Sequence, residues 1–538
     1  MSEVTHADAG APEESHQKTV RDSLSRNLIV DIIARVGYLV SRFFVPPFIL
    51  AHVTLEAYGL WAAAFIVVSY IGVSTMGISN VYIKYVAEYS ARRQYEKVNQ
   101  LLSTGLMLTI PVCLAVFGLI WIFWPIVITF LHVNADLRED ARVVVLSVTA
   151  IFLASLSLSA FRDVLAGVQK SALMQVVWVI GYLTETALIF WLVGHGRGIR
   201  GLAEAFLIRT GIEVGLACLL AFKLLPWLRV TPGRFSREAL HTLLSFGGIT
   251  QLQSLMAIGL NSVERAMAAP LIGLAGTGLL DIGNKLPSMA ASIPSAFAGS
   301  FVPAASYLHG GLEGSSEQRD TIRKLYLKGA RYMNLTCAYI CGFIATVPLP
   351  LLDVWMGKRY PDAATLMIIF TVQTQVHLMT GPGTSILKGV GRPKAEFHYG
   401  IPNILAIFIT MPIFWLVFGK FTAIGIALSV TTATVMAAVW FLRHANGLLN
   451  VSLGEYFKGV VWPGVVPYLI GLPFAWPVLM LTQRLNRWEG AGVVIVAGLL
   501  YSVLVLVVVE RFVFETGERH WFRAVLASKL AFLNRKKV

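Results

Sequence analysis

A stripe of polar residues runs along the apolar segment 27–51 and has the composition of an anion-binding wall. Asp31, Arg35, Tyr38 and Arg42 follow one another in steps of three or four residues. On a helix they share one face. Since a charge at bilayer depth costs about 3 kcal/mol on insertion scales, that face must look onto a wet cavity or a partner helix. The planar donor fork of arginine suits phosphate oxygens.

A second stripe with the same spacing lies 223 residues later and also ends in arginine, at Arg265. Its members are Gln251, Ser254, Ile258, Asn261 and Arg265. Arg42 has no acidic partner on its own helix, and Glu264 points away from Arg265 because neighbours on a helix face different directions. We therefore predict that Arg42 and Arg265 bind the anionic part of a substrate. The further predicted contacts are Arg35, Lys285, Asn261 and Tyr38. Snorkelling of Arg265 to the outer interface is the alternative for that residue.

Other intramembrane charges have local explanations. Three pairs of opposite charges are spaced i, i+4, so that each pair can be neutralised within one helix. They are Asp31 with Arg35, Arg209 with Glu213, and Asp281 with Lys285. The candidates for ion coupling are Asp31, Glu185 and Glu204. For the two glutamates, an ion pair with Arg209 is the favoured interpretation. His377 is interpreted as a hydrogen-bonded cavity residue.

The composition excludes most soluble classes. The 538 residues are 56% hydrophobic and only 14% charged, against about 25% charged in soluble proteins, and the mean hydropathy is +0.68. The net charge of +14 is dispersed over short loops, which disfavours nucleic acid as a partner. The four cysteines lie in apolar segments and are predicted to be small buried side chains.

The elements that must position these stripes are membrane-spanning helices of about 20 residues. The sequence predicts an all-α, polytopic membrane protein with fourteen of them, at 27–52, 57–79, 99–124, 141–161, 172–194, 201–222, 242–264, 271–305, 330–352, 362–386, 397–418, 422–442, 459–482 and 490–510. Lys and Arg are about three times more frequent on one side, which places both termini in the cytoplasm. The first 24 residues have no apolar region typical of a cleaved signal peptide.

An internal repeat divides the chain. LAGVQKS at 165–171 aligns with LKGVGRP at 387–393, and IFWLV occurs at both 189–193 and 413–417. The predicted organisation is two homologous six-helix lobes in a parallel pseudo-twofold arrangement plus two C-terminal helices, with a binding site between the lobes. The predicted domains are a cytoplasmic tail (1–26), an N-lobe (27–238), a C-lobe (239–445), helices 13 and 14 (446–511), and a basic amphipathic tail (512–538) on the inner leaflet.

The chain resembles the polysaccharide transporters of the multidrug/oligosaccharidyl-lipid/polysaccharide flippase superfamily. The resemblance rests on the arrangement of spans as six, six and two, and on three segments: YGLW at 58–61, NVYIKYVAEYSARR at 80–93 and LKGVGRPK at 387–394. The resemblance implies a protein of the bacterial inner membrane that serves the biosynthesis of surface polysaccharide, such as lipopolysaccharide or exopolysaccharide. It implies transport of a polyprenyl-pyrophosphate-linked glycan by alternating access, with a polysaccharide polymerase and chain-length proteins as further partners.

Two alternatives stay open. A cation-coupled multidrug exporter of the same superfamily would share the lobes, but would normally have twelve spans and an acidic cavity. A membrane enzyme of polysaccharide assembly is disfavoured because no paired carboxylates, nucleophile or large periplasmic loop is present. The GxGxxG-like run in GHGRGIRG (194–201) joins two predicted spans and not a strand and a helix, so no cofactor is expected.

Overall fold

The computed structural model describes residues 37–168, 170–311, 316–520 and 523. For some of these residues only the backbone is described: 66–77, 80, 171, 246–266, 296, 299, 300, 309–311, 316, 393 and 396. Every described element is helical. The chain divides into two compact units, with the boundary between Ser262 and Val263.

Unit 1 is built from long helices joined by short turns. They are α1 (37–52), α2 (Leu55–Ala91), α3 (Tyr95–Ile122), α4 (Trp124–Phe130), α5 (Arg138–Gly167), α6 (Ser171–Gly194) and α7 (Gly198–Leu224). Short 3-10 turns lie at Ala135–Leu137 and Pro232–Arg234. Helix α7 packs against both α5 and α6, and α5 also packs against α2 and α3.

Helix α8 (Arg237–Gly311) crosses the boundary into unit 2. Unit 2 continues with α9 (Ser316–Thr346), α10 (Pro348–Met356), α11 (Pro361–Gly389), a 3-10 turn (Pro393–Glu396), α12 (Phe397–Phe418) and α13 (Ala423–Leu448). It ends with α14 (Leu453–Tyr456), a π-helix (Phe457–Val461), α15 (Trp462–Thr482), α16 (Arg487–Val508) and a second π-helix (Val509–Val513). Helix α13 packs against α12 and α11, as α7 packs against α6 and α5.

Nine helices of the described chain are long and apolar enough to cross a bilayer, or ten if α9 and α10 form one broken span. Breaks in the helical backbone mark three of the predicted spans. The predicted spans 242–264 and 271–305 both lie in α8, which consists of two helical stretches joined at a kink at Gly273, where the φ of 73° suits glycine. The span 330–352 is bent by 81° between α9 and α10, because Pro348 cannot continue the hydrogen bonds of α9.

The repeat reappears as matching side-chain packing in the two units. Tyr82 of α2 lies over Gly105 of α3, and Phe301 of α8 lies over Gly329 of α9, in each case where a Cβ atom would collide with the ring. Helices α5 and α11 both end at a glycine, Gly167 or Gly389, that is pressed against the preceding long helix. Each unit therefore builds the same three-helix contact from different residues.

The predicted burial of the cysteines is confirmed: Cys113, Cys337 and Cys341 are buried and Cys218 is half-buried, all as free thiols. In unit 1 the core joins α2, α3, α5, α6 and α7 through residues such as Leu102, Val164 and Ala221. This core holds α6 and α7 at the distance from which their polar faces can meet.

Candidate functional site

An alternating chain of four charges crosses three helices of unit 1. Arg42 of α1 donates from Nη2 to Glu185 Oε2 of α6 at 3.3 Å, and Arg209 of α7 donates from Nη1 to the same oxygen at 3.0 Å. Arg209 Nε also donates to Glu213 Oε1 at 2.8 Å. Two arginines and two glutamates sum to zero charge, so the cluster satisfies itself inside the helix bundle.

Accessibility is lowest inside this cluster and higher at both ends, where the side chain of Glu213 is 25% exposed. The side chain of Arg42 is 29% exposed, whereas those of Glu185 and Arg209 are 4% and 15% exposed. Glu185 is therefore held by a half-buried arginine on one side and a more accessible one on the other. Arg42 is the member that an external anion can reach first.

Aromatic rings surround the accessible end. The Tyr38 ring centroid lies 5.2 Å from that of Trp178 and 5.9 Å from that of Tyr182. The guanidinium carbon of Arg42 stands 5.1 Å above the Tyr38 ring, within cation–π range. Tyr38 and Arg42 are one turn apart on α1, while Trp178, Tyr182 and Glu185 share one face of α6.

Two glycines let these helices approach. A Cβ atom on Gly181 would stand 2.5 Å from Glu213 Oε1, and one on Gly37 would collide with the Tyr182 hydroxyl. Backbone without side chains at these positions leaves room for the carboxylate and the phenol. Close packing of α1, α6 and α7 thus depends on glycine.

The structure corrects one premise and confirms one pairing. Arg42 is not an uncompensated guanidinium, because Glu185 reaches it from another helix. The predicted ion pair of Glu185 with Arg209 is confirmed. The same prediction was wrong for Glu204, which pairs with Arg197 at 3.4 Å on the surface, since residues five apart on α7 point in different directions.

The remaining predicted residues divide into described and undescribed ones. Lys285 Nζ donates to Asp281 Oδ2 at 3.1 Å, which confirms that local pair. Asp31 and Arg35 lie outside the described residues, as do the side chains of Asn261 and Arg265 on α8. Their predicted roles remain predictions.

A second polar cluster, in unit 2, joins α9, α11 and α15. Gln375 Nε2 donates to Asn334 Oδ1 at 3.0 Å and to Gly464 O at 3.2 Å, and Asn334 Nδ2 donates to Val460 O in the π-helix at 2.7 Å. The predicted hydrogen bonding of His377 is confirmed: its Nδ1 lies 2.9 Å from the Tyr399 hydroxyl.

The sequence interpretation missed Trp178 and Tyr182. Both stand on the face of α6 that carries Glu185, at one and two turns' distance. That i, i+4, i+7 spacing was the available signal. This spacing alone does not show that the face contacts α1, which follows only from the packing of α6.

Comparisons with known proteins identify the fold. The structure matches that of "Lipid II flippase MurJ, inward closed conformation" with a TM-score of 0.67 and 14% identity, covering 90% of this chain and 98% of that one. It matches an inward-facing multidrug resistance MATE family transporter of the MOP superfamily with a TM-score of 0.62 and 14% identity, covering 78% and 98%. The chain has the fold of these transporters.

A third match with this fold is a MOP superfamily transporter from Pyrococcus furiosus, with a TM-score of 0.55 and 14% identity, covering 80% of this chain and 95% of that one. In sequence, the chain is 20% identical over 485 residues to the uncharacterized membrane protein EpsK of Bacillus subtilis, covering 87% of this chain and 91% of that protein. No family model matches the sequence. The chain is a multi-pass membrane protein with a fold shared by a lipid flippase and drug transporters.

Proposed function

We propose that this protein moves a polyprenyl-pyrophosphate-linked oligosaccharide across the bacterial inner membrane by alternating access, for surface polysaccharide biosynthesis. The observation that carries the proposal is the shared carboxylate of Glu185, which both Arg42 and Arg209 hold. A pyrophosphate that reaches Arg42 replaces one carboxylate by another oxyanion. Glu185 keeps its bond to Arg209, so no charge is left buried without a partner.

The surroundings of Arg42 fit the rest of such a head group. Sugar rings present apolar faces that stack on aromatic side chains, and Tyr38 and Trp178 lie beside Arg42. The further predicted contacts of the head group are Arg35, Arg265, Asn261 and Lys285. The fold shared with lipid II flippase MurJ supports a lipid-linked substrate.

The proposed topology has fourteen spans in two six-helix lobes plus a pair, with both termini in the cytoplasm. The excess of Lys and Arg in alternate loops supports this orientation. In an inside-negative cell, outward movement of a dianionic pyrophosphate gains about 4–5 kcal/mol per 100 mV. A polysaccharide polymerase and chain-length proteins would use the delivered glycan.

A transport assay tests the proposal. The protein is reconstituted into proteoliposomes with a fluorescent polyprenyl-pyrophosphate oligosaccharide, and the fraction that changes leaflet is followed by quenching from outside. We expect Arg42→Ala to slow the movement at least tenfold and Arg42→Lys to give an intermediate rate, because lysine keeps the charge but loses the planar fork. Wild-type protein that leaves the lipid in its original leaflet would overturn the proposal.

The alternative is a multidrug exporter, since the fold is also that of MATE family transporters. A cationic drug would seek carboxylates, and both Glu185 and Glu213 are already neutralised by arginine. Uptake of a cationic dye into the same proteoliposomes, unaffected by Arg42→Ala, would favour the exporter.

A further inference from the structure

We propose that unit 1 contains a second binding site, a buried site for a monovalent cation formed by Asp163 of α5 with Tyr82 and Ser79 of α2. If the proposed transport function holds, this site provides the coupling ion. The ligand class is H⁺ or Na⁺, which share a preference for a carboxylate with neighbouring oxygens.

Asp163 is a buried carboxylate that is only half satisfied. It is 2% exposed and lies on a helix that is apolar enough to span the membrane. Its Oδ1 accepts hydrogen bonds from Arg162 Nε and Nη2, both at the long distance of 3.5 Å, and the Arg162 side chain is 60% exposed. A charge-assisted bond is normally 2.7–2.9 Å. Arg162 is therefore a weak counter-ion for a buried charge.

Two unused polar atoms stand at this position. Asp163 Oδ2 and the Tyr82 hydroxyl, on a residue that is 2% exposed, have no hydrogen-bond partner in the described part of the chain. Asp163 and Tyr82 each lie one helical turn before the contact of Gly167 on α5 with Val86 on α2, so they are on the packed faces of these helices. The Ser79 hydroxyl donates to the Asp163 carboxyl. Arg162 and Tyr82 are the charged and titratable groups that face Asp163 among the described residues. A buried unsatisfied carboxylate oxygen calls for a proton, an ion or a water.

Unit 2 provides an internal comparison. There Phe301 occupies the place of Tyr82, with its ring over Gly329 as the Tyr82 ring lies over Gly105. Counted back from the terminal glycines of α5 and α11, the residue equivalent to Asp163 is Ser385. The same helix packing therefore forms without the hydroxyl and without the carboxylate. The polar groups in unit 1 are not needed for packing, and an expensive buried charge without a packing role indicates function.

The site differs from the glutamates considered for ion coupling. Glu185 accepts from two arginines, and Glu204 pairs with Arg197 at the surface. Among the described residues, neither glutamate has a buried carboxylate oxygen without a hydrogen-bond partner, as Asp163 has at Oδ2. Asp163 is the better-placed carboxylate for a cation that must leave again.

Two measurements on the full chain in lipid nanodiscs test the site without any transport substrate. The first is saturable binding of radioactive Na⁺, and the second is the infrared signal of a protonated carboxyl group as a function of pH. We expect wild type to give one of them, which also identifies the ion. Asp163→Asn should abolish the infrared signal or weaken Na⁺ binding at least tenfold, and Ser385→Ala, the matched position in unit 2, should change neither.

Tyr82→Phe is the second variant, and unit 2 shows that a phenyl ring packs over the equivalent glycine. We expect it to weaken Na⁺ binding or shift the carboxyl titration, and it decides the question if Asp163→Asn does not fold. Signals equal to wild type in the folded variants would overturn the cation site. Because no lipid-linked glycan is present, that result leaves the transport assay, and hence the proposed function, to be judged separately.

Discussion

Arg42 of α1 donates to Glu185 of α6 at 3.3 Å, although 143 residues separate them in the chain. The contact makes Glu185 a built-in competitor for any anion that approaches Arg42. Since Glu185 also holds Arg209, it can release Arg42 without becoming a lone buried charge. The exchange of one oxyanion for another is the central expectation of the proposed mechanism.

Removing the competitor should strengthen anion binding. We predict that Glu185→Gln binds a polyprenyl-pyrophosphate about tenfold more tightly than wild type, equivalent to about 1.4 kcal/mol, because the neutral amide competes less well for Arg42. Binding is measured by fluorescence anisotropy of a labelled lipid in nanodiscs. Glu204→Gln, which changes the same side chain in the exposed pair with Arg197, is the control. Unchanged affinity in Glu185→Gln would contradict the exchange.

The approach of α6 and α7 should depend on Gly181. Because its new Cβ atom would meet Glu213 Oε1 at 2.5 Å, Gly181→Ala is expected to lower the free energy of unfolding by about 1–3 kcal/mol. Thermal unfolding in detergent measures the loss. Gly211→Ala on α7 has nothing within 4 Å of its Cβ position and should be neutral or stabilising by up to about 1 kcal/mol. Equal melting temperatures for the two variants would refute the close contact.

The polar cluster of unit 2 should stabilise the attachment of α15 to α9. Asn334 is fully buried, and Asn334→Ala removes one of the two acceptors of the Gln375 amide and the side-chain donor to the Val460 carbonyl. We expect a loss of about 1–3 kcal/mol, read from unfolding in detergent. Thr336→Ala, on the same helix but bonded only to its own backbone, should stay within about 0.5 kcal/mol of wild type. A similar loss in both variants would argue against the cluster.

The segment after the second π-helix should detach from α9 in acid. Burial acts to raise the pKa of Glu518, but hydrogen bonds from the Tyr332 hydroxyl and the Glu515 backbone N–H, with the charges of Lys328 and Arg331, hold it below its usual value. A carboxyl with a lowered pKa contributes its stability above the unfolded value of about 4.5 and loses it as the pH falls through the folded pKa.

Hydrogen exchange of residues 515–520 measures this attachment. We expect Glu518→Gln to exchange about tenfold faster than wild type at neutral pH, while wild type reaches that rate only in acid. Glu455→Gln, which breaks the pair between Glu455 and Arg323 of α9, should leave residues 515–520 protected. Protection that survives in Glu518→Gln would show that the carboxylate does not hold the segment.

The sequence alone was sufficient for features that depend on local hydrogen bonding and hydropathy. Helical hydrogen bonds close within four residues, so apolar segments of spanning length predicted most helices. The i, i+4 pair of Asp281 and Lys285 was equally local. The spacing of the repeat also predicted that α5 and α11 would correspond, and both end at a glycine in the structure.

Only the tertiary structure decided which helix faces meet. Nothing in the sequence near Arg42 showed that Glu185 would neutralise it, because the partner comes from the packing of α6 against α1. The correspondence of Tyr82 with Phe301 was equally hidden, since it becomes visible only where both rings cover a glycine. Side-chain pairing across helices depends on their rotation and separation, which the whole core determines. The spacing of the sequence predicts that Arg42 belongs to a polar helix face, and the packing of α6 against α1 supplies its counter-ion, Glu185.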